Sequence, residues 1–213
     1  MLHPQPLPKG RLEALTDGIF AVSMTLLVLD LKFPEGSLDS SGGIWQTLLK
    51  LQDQVDDYVI SFVVLCLFWL GHNRLMQRAR EIDATFMWLN LMFLLFTTFV
   101  PPLTIFVGHN PNHPRAAILY GVNLALITLF ELLLWRRCLL HLANESVLDA
   151  RNAWRTVRRR YLMAICVVLL GIAAALIEID IGRTSGLGHY IYLLLIAAGI
   201  MRPMPRHHAV SSA

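Results

Sequence analysis

Residues 12–31 read LEALTDGIFAVSMTLLVLDL, and no charge interrupts them between Asp17 and Asp30. Twenty helical residues rise about 30 Å, the thickness of a bilayer's hydrocarbon core. At about 100° per residue, Asp17, Phe20, Met24, Leu27 and Leu31 fall on one side of such a helix. Leu15, Gly18, Val22, Thr25, Leu26 and Leu29 fall on the other. Val22, Thr25, Leu26 and Leu29 keep the i, i+3, i+4, i+7 spacing, which by itself reads as a stripe packed against lipid or core.

Five further apolar runs follow, at 58–77, 86–107, 116–135, 161–181 and, more briefly, 189–201. Six candidate spans predict an all-α integral membrane protein with six transmembrane helices. Composition agrees. Of 213 residues, 55% are hydrophobic and 15% charged, against about 25% charged in soluble domains. A soluble core of this length could not hide so much apolar surface. The same figures exclude a disordered chain, a collagen-like fibre and a secreted disulfide scaffold. Cys66, Cys138 and Cys166 lie far apart in or beside apolar runs and read as small buried hydrophobes. His109 and His113 flank a turn in GHNPNHPR, too loosely spaced for a metal centre. No positioned nucleophile, HExxH pair or cofactor motif occurs. No catalytic residue, metal or cofactor is therefore expected. The net charge of +3 is too small to suggest nucleic acid.

The polar, Pro-rich start MLHPQPLPKGRLEALTDG has no cleavable-signal pattern. If the termini and the even-numbered connections share one side, that side holds fourteen of the 18 Lys and Arg residues. The positive-inside rule then places both termini in the cytoplasm of a multi-pass cell-membrane protein. The long outer connection 34–57 carries Glu35, Asp39, Asp53, Asp56 and Asp57. It reads either as a solvated face or as an acidic vestibule that concentrates cations. Its end, IWQTLLKLQDQVDD, has apolar residues at helical spacing, so the second helix is expected to begin outside the bilayer. The basic stretch RRCLLHLANESVLDARNAWRTVRRR is expected to touch anionic lipid. Its arginines lie outside a span, unlike those of a voltage sensor.

Ionisable groups at membrane depth need a reason. Asp17, on the first helix, sits at a depth similar to that of His72 and Asn73 on the second and Asn90 on the third. A buried carboxylate wants donors, and these three can supply them, with Arg11 or Arg74 balancing the charge. The expectation is a structural polar brace rather than a catalytic site. Glu131, Glu178 and Asp180 lie near span ends and are expected to reach the interface.

Arg11-x-x-x-Leu15-Thr16-Asp17, followed by GIFAVSMTLLVLDL, resembles the R-x-x-x-F-S-D first helix of the lysosomal potassium channel family, transmembrane protein 175 and its bacterial relatives. FWLGHNRL (68–75) is similar to the family's W-x-x-H-H-R stretch, and Asp83, WLNL (88–91) and PPLT (101–104) follow in the family's order. Leu15 and Thr16 stand where the motif has Phe and Ser, and Asn73 stands where it has a second His. The match covers roughly residues 11–108, and the second half matches only as hydrophobic spans.

The resemblance implies a homotetramer whose first helices line a central pore. On that reading Val22, Leu26 and Leu29 form apolar constriction rings, with Thr25 adjoining as the selectivity-biasing hydroxyl. Arg11, Thr16, Asp17, His72, Asn73 and Asn90 form the polar network that holds the lining helix. Residues 1–10 would be a cytoplasmic tail, 11–203 the channel domain and 204–213 a second cytoplasmic tail. The implied function is a passive, potassium-permeable cation channel with a modest preference for K⁺ over Na⁺ and a hydrophobic gate. Its partners would be the bilayer, identical subunits and monovalent cations. Three alternatives stand beside it: an intramembrane enzyme using Asp17 and His72, a secondary transporter, and a non-conducting membrane scaffold. The transporter would need inverted halves, yet nothing after residue 110 mirrors LTDGIFAV or FWLGHNRL.

Overall fold

The computed structural model describes residues 9–31, 43–79, 82–110, 113–141 and 147–181. Helix α1 is Lys9–Leu26 and runs into a single 3₁₀ turn, Leu27–Asp30. It is followed by α2 (Gly43–Arg78), α3 (Ala84–Thr98), α4 (Val100–Gly108), α5 (Pro114–His141) and α6 (Val147–Ile181). Helices α3 and α4 together make one span. Among the described residues, five stretches are long and apolar enough to cross a membrane: Lys9–Leu29, Gln54–Arg78, Ala84–Gly108, Pro114–Leu140 and Trp154–Ile181. They coincide with the first five expected runs. The sixth, 189–201, lies outside the described residues, as do residues 1–8 and 182–213 and the first part of the acidic connection, 34–42.

The third run is broken at Phe99, immediately before Val100, Pro101 and Pro102. Neither proline can donate to the helical ladder, and the Pro101 ring crowds the carbonyl of Thr97. The Phe99 N–H takes the short route to Phe96 O at 3.2 Å. Phe96 O also accepts from Asn123 Nδ2 of α5 at 3.1 Å. A side chain of a neighbouring helix thus helps satisfy backbone at the break, as a membrane interior demands. The first run also differs from a uniform α-helix. Its last turn tightens to 3₁₀, a common way for a helix end to satisfy its final carbonyls; Leu31 N–H donates to Val28 O at 3.2 Å. Helix α2 begins well before its apolar run and has 36 residues, about 54 Å of rise against roughly 30 Å of hydrocarbon.

Helix α5 lies along α6 and α3, while α1 packs on α3, α2 and α4. The deepest side chains come from four helices: Phe20, Phe68, Phe86, Phe93 and Trp135. Lipid tails are as apolar as leucine, so close packing and interhelical hydrogen bonds hold such a bundle together. Thr104 of α4 donates to Ser61 Oγ of α2 at 2.8 Å or to Val100 O at 2.9 Å. Ser61 Oγ in turn lies 3.1 Å from the Tyr120 hydroxyl of α5. Trp135 Nε1 donates to the Tyr161 hydroxyl at 3.1 Å, which hydrogen-bonds the carboxyl of Glu131. Gly71 lets α2 approach this group: a Cβ there would stand 2.6 Å from Glu131 Oε1. Glu131 is 1% exposed and Glu178 is also buried. Both therefore correct the expectation that they reach the interface. For Glu131, packing against Gly71 of α2 and Tyr161 of α6 overrides its nearness to the end of an apolar run.

Candidate functional site

Helix α1 has two unlike faces. Leu12, Thr16, Phe20, Ser23 and Leu27 are buried against the rest of the chain. Val22, Leu26 and Leu29 are 56%, 43% and 68% exposed, and Leu15 and Thr25 lie on the open side with them. The expected stripe is therefore left uncovered by the described residues of its own protomer. Thr25 Oγ1 lies 3.0 Å from Ala21 O and 2.9 Å from Val22 O. Its one proton turns back into the helix, which leaves the oxygen lone pairs directed away from it.

Three contacts fix the other face. Trp69 Nε1 of α2 donates to Asp17 Oδ1 at 2.8 Å. Asn90 Nδ2 of α3 donates to Thr16 Oγ1 at 3.2 Å. Phe20 meets Phe93 with ring centroids 5.8 Å apart, and His72 stacks on Phe93 as well, with centroids 4.9 Å apart at 11°.

The structure brings some of the expected polar residues together and leaves others apart. Asp17 is exposed rather than buried, and its donor is Trp69. One residue beyond the buried Thr16, it is turned about 100° away from that buried position, and the long indole of Trp69 reaches it there. His72 is buried, and neither ring nitrogen has a hydrogen-bond partner among the described residues; its contact is aromatic. Asn73 is exposed and accepts from Gln77 Nε2 at 3.4 Å along its own helix. Arg11 is exposed, and neither it nor Arg74 pairs with Asp17 among the described residues. Thr16 and Asn90 meet as members of the network.

Asp83 has a role that its place in the motif order did not disclose. It caps α3 by accepting from Phe86 N–H at 3.0 Å, and it pairs with Arg137 of α5 at 2.6 Å. An aspartate just before an apolar helix is the signal that could have announced the cap. Arg78 lies 5.8 Å from the Trp135 ring centre. The basic ends of α2 and α5 and the start of α3 therefore meet at one end of the bundle.

A sequence profile described as the endosomal/lysosomal potassium channel TMEM175 matches residues 11–101, the part of the chain that holds the α1 brace. A potassium channel of Chamaesiphon minutus is 31% identical over 156 residues, which cover 71% of this chain and 74% of that one. The chain belongs to the TMEM175 family. A potassium channel of Streptomyces collinus is 34% identical over 131 residues, 59% of this chain; the match spans 63% of the Streptomyces protein's length. The fold agrees with the crystal structure of a lysosomal potassium-selective channel TMEM175 homologue from Chamaesiphon minutus, at a TM-score of 0.72 and 25% identity, over 89% of this chain and 95% of that one. TMEM175 proteins are ion channels without a required cofactor, so the enzyme alternative for Asp17 and His72 falls.

Proposed function

We propose that this chain is one subunit of a homotetrameric, potassium-permeable channel of the cell membrane. Six spans, 11–203 in all, carry both termini inward, and four copies of α1 surround the axis. The observation that carries this reading is the open apolar stripe on a helix whose opposite face is braced. Family membership supports giving that stripe to the pore rather than to lipid.

On this reading Val22, Leu26 and Leu29 stack as three rings. They span about 12 Å, because the 3₁₀ turn after Leu26 rises more steeply than an α-helix. The α1 backbone keeps its carbonyls in its own ladder, so they do not replace an ion's water shell as a carbonyl filter does. Apolar rings offer no replacement either. Ions therefore cross with much of their water, and closure works by narrowing and dewetting. The Thr25 oxygens are the polar groups on this wall. K⁺ sheds water more readily than Na⁺, so a ring of hydroxyls gives a modest preference for K⁺. The basic residues gathered at one end of the bundle support the inward orientation.

The test is cation flux into liposomes holding the purified full chain, with K⁺, Na⁺ and Cs⁺ gradients compared. K⁺ flux exceeding Na⁺ flux is expected, and Leu26→Asn should raise resting K⁺ flux several-fold by wetting the constriction. Unchanged conductance in that variant would remove Leu26 from the gate.

A further inference from the structure

The head of α6 carries a built contrast between charge and apolar surface. Arg155, Arg158 and Arg159 line one end of an open groove of about 690 Å³, and Leu162, Met163, Cys166 and Val167 line the rest. These positions recur every three or four residues, so they form one face of α6 over three turns. The three arginines are exposed and make no ion pair among the described residues. Other arginines at this end are engaged: Arg137 with Asp83, and Arg78 over Trp135. The local sequence does little to balance them. Residues 136–160 hold seven arginines against Glu145 and Asp149, and residues 182–213 contain no Asp or Glu. The switch from guanidinium to apolar side chain falls within one turn, between Arg159 and Leu162. A bilayer changes from headgroup to acyl chain over a similar depth.

We propose that this groove holds one anionic phospholipid. Its phosphate lies on Arg155, Arg158 and Arg159, and an acyl chain lies along Leu162, Met163, Cys166 and Val167. Charge complementarity selects this occupant. The chain's own segment 182–213 brings Arg183, Arg202 and Arg206, which repel the site. Free phosphate would leave the apolar floor unused, and a zwitterionic lipid brings a cation of its own toward the guanidiniums. Because α6 packs along the length of α5, a lipid held here steadies that helix pair. Assignment to the inner leaflet rests on the orientation proposed above; retention of the lipid is read without flux, so the two can fail separately.

Native mass spectrometry of the detergent-extracted full chain, mixed with equal phosphatidylglycerol and phosphatidylcholine, tests the proposal. Each guanidinium near an anionic headgroup contributes roughly a factor of five, so phosphatidylglycerol should be retained at least tenfold over phosphatidylcholine. The R155Q/R158Q/R159Q variant should bring that ratio close to one. Single R158Q and R159Q variants should each lose part of it, which keeps the test readable if the triple variant does not fold. Leu162→Asn with Met163→Asn should weaken retention with all three arginines in place. Equal retention of the two lipids by the unaltered chain overturns the proposal. So does a preference that survives loss of the arginines, or displacement of the lipid by inorganic phosphate at matched concentration.

Discussion

Trp69 sets how α1 is held, through the 2.8 Å bond from its indole to Asp17. Trp69→Phe keeps an aromatic body and removes the donor. Interhelical hydrogen bonds in membranes are worth about 0.6–2 kcal/mol, so the melting temperature of the detergent-solubilised chain should fall by a few degrees. Asp17→Asn added to Trp69→Phe should cost little more, because the bond is already lost; additive losses would show that the two side chains act apart. Gly71 offers a second residue-scale check. Gly71→Ala places a methyl 2.6 Å from Glu131 Oε1, and overpacking of this kind costs about 1–3 kcal/mol. Glu131→Ala in the same chain should restore part of the loss in a thermal melt. The sequence named the polar residues near α1 but not their pairings. Trp69, His72 and Asn73 lie within about one helical turn, and an α2 apolar on most sides does not declare its rotation. A rotation of about 60° about the helix axis decides between an indole and an imidazole as the donor.

At the scale of elements, the legible features are those with a covalent cause. Pro101 and Pro102 lack N–H groups, and the third span breaks beside them. Long apolar runs separated by charged or turn-forming residues give the spans, and five of those runs are helices. The 3₁₀ turn at Leu27–Asp30 has no such cause in the sequence: neither glycine nor proline marks it. Asn123 is likewise silent in sequence, since its partner is a carbonyl 27 residues away. Asn123→Leu should destabilise the chain by about 1–3 kcal/mol, the cost of withdrawing a partner from a buried polar group. A melt unchanged from the unaltered chain would mean that the Phe99 N–H alone suffices for that carbonyl.

For the whole molecule, the protomer leaves one question to its assembly: what covers Val22, Leu26 and Leu29. The two-sided pattern of α1 was readable from spacing alone, because 100° per residue separates Phe20 and Leu27 from that stripe. Spacing could not say whether the stripe meets lipid or water, since both leave the same imprint on one chain. The brace at Thr16, Asp17 and Phe20 orients the stripe away from the protomer's core, consistent with a shared axis among four copies. Reaction with a water-borne thiol reagent separates the two surroundings. Leu26→Cys, in a chain whose Cys66, Cys138 and Cys166 are replaced by serine, should conduct K⁺ in liposomes and lose most of that flux when a charged methanethiosulfonate is added. Full K⁺ flux after exposure to the reagent, with the position 26 thiol still unmodified, would place the stripe in lipid and contradict the account.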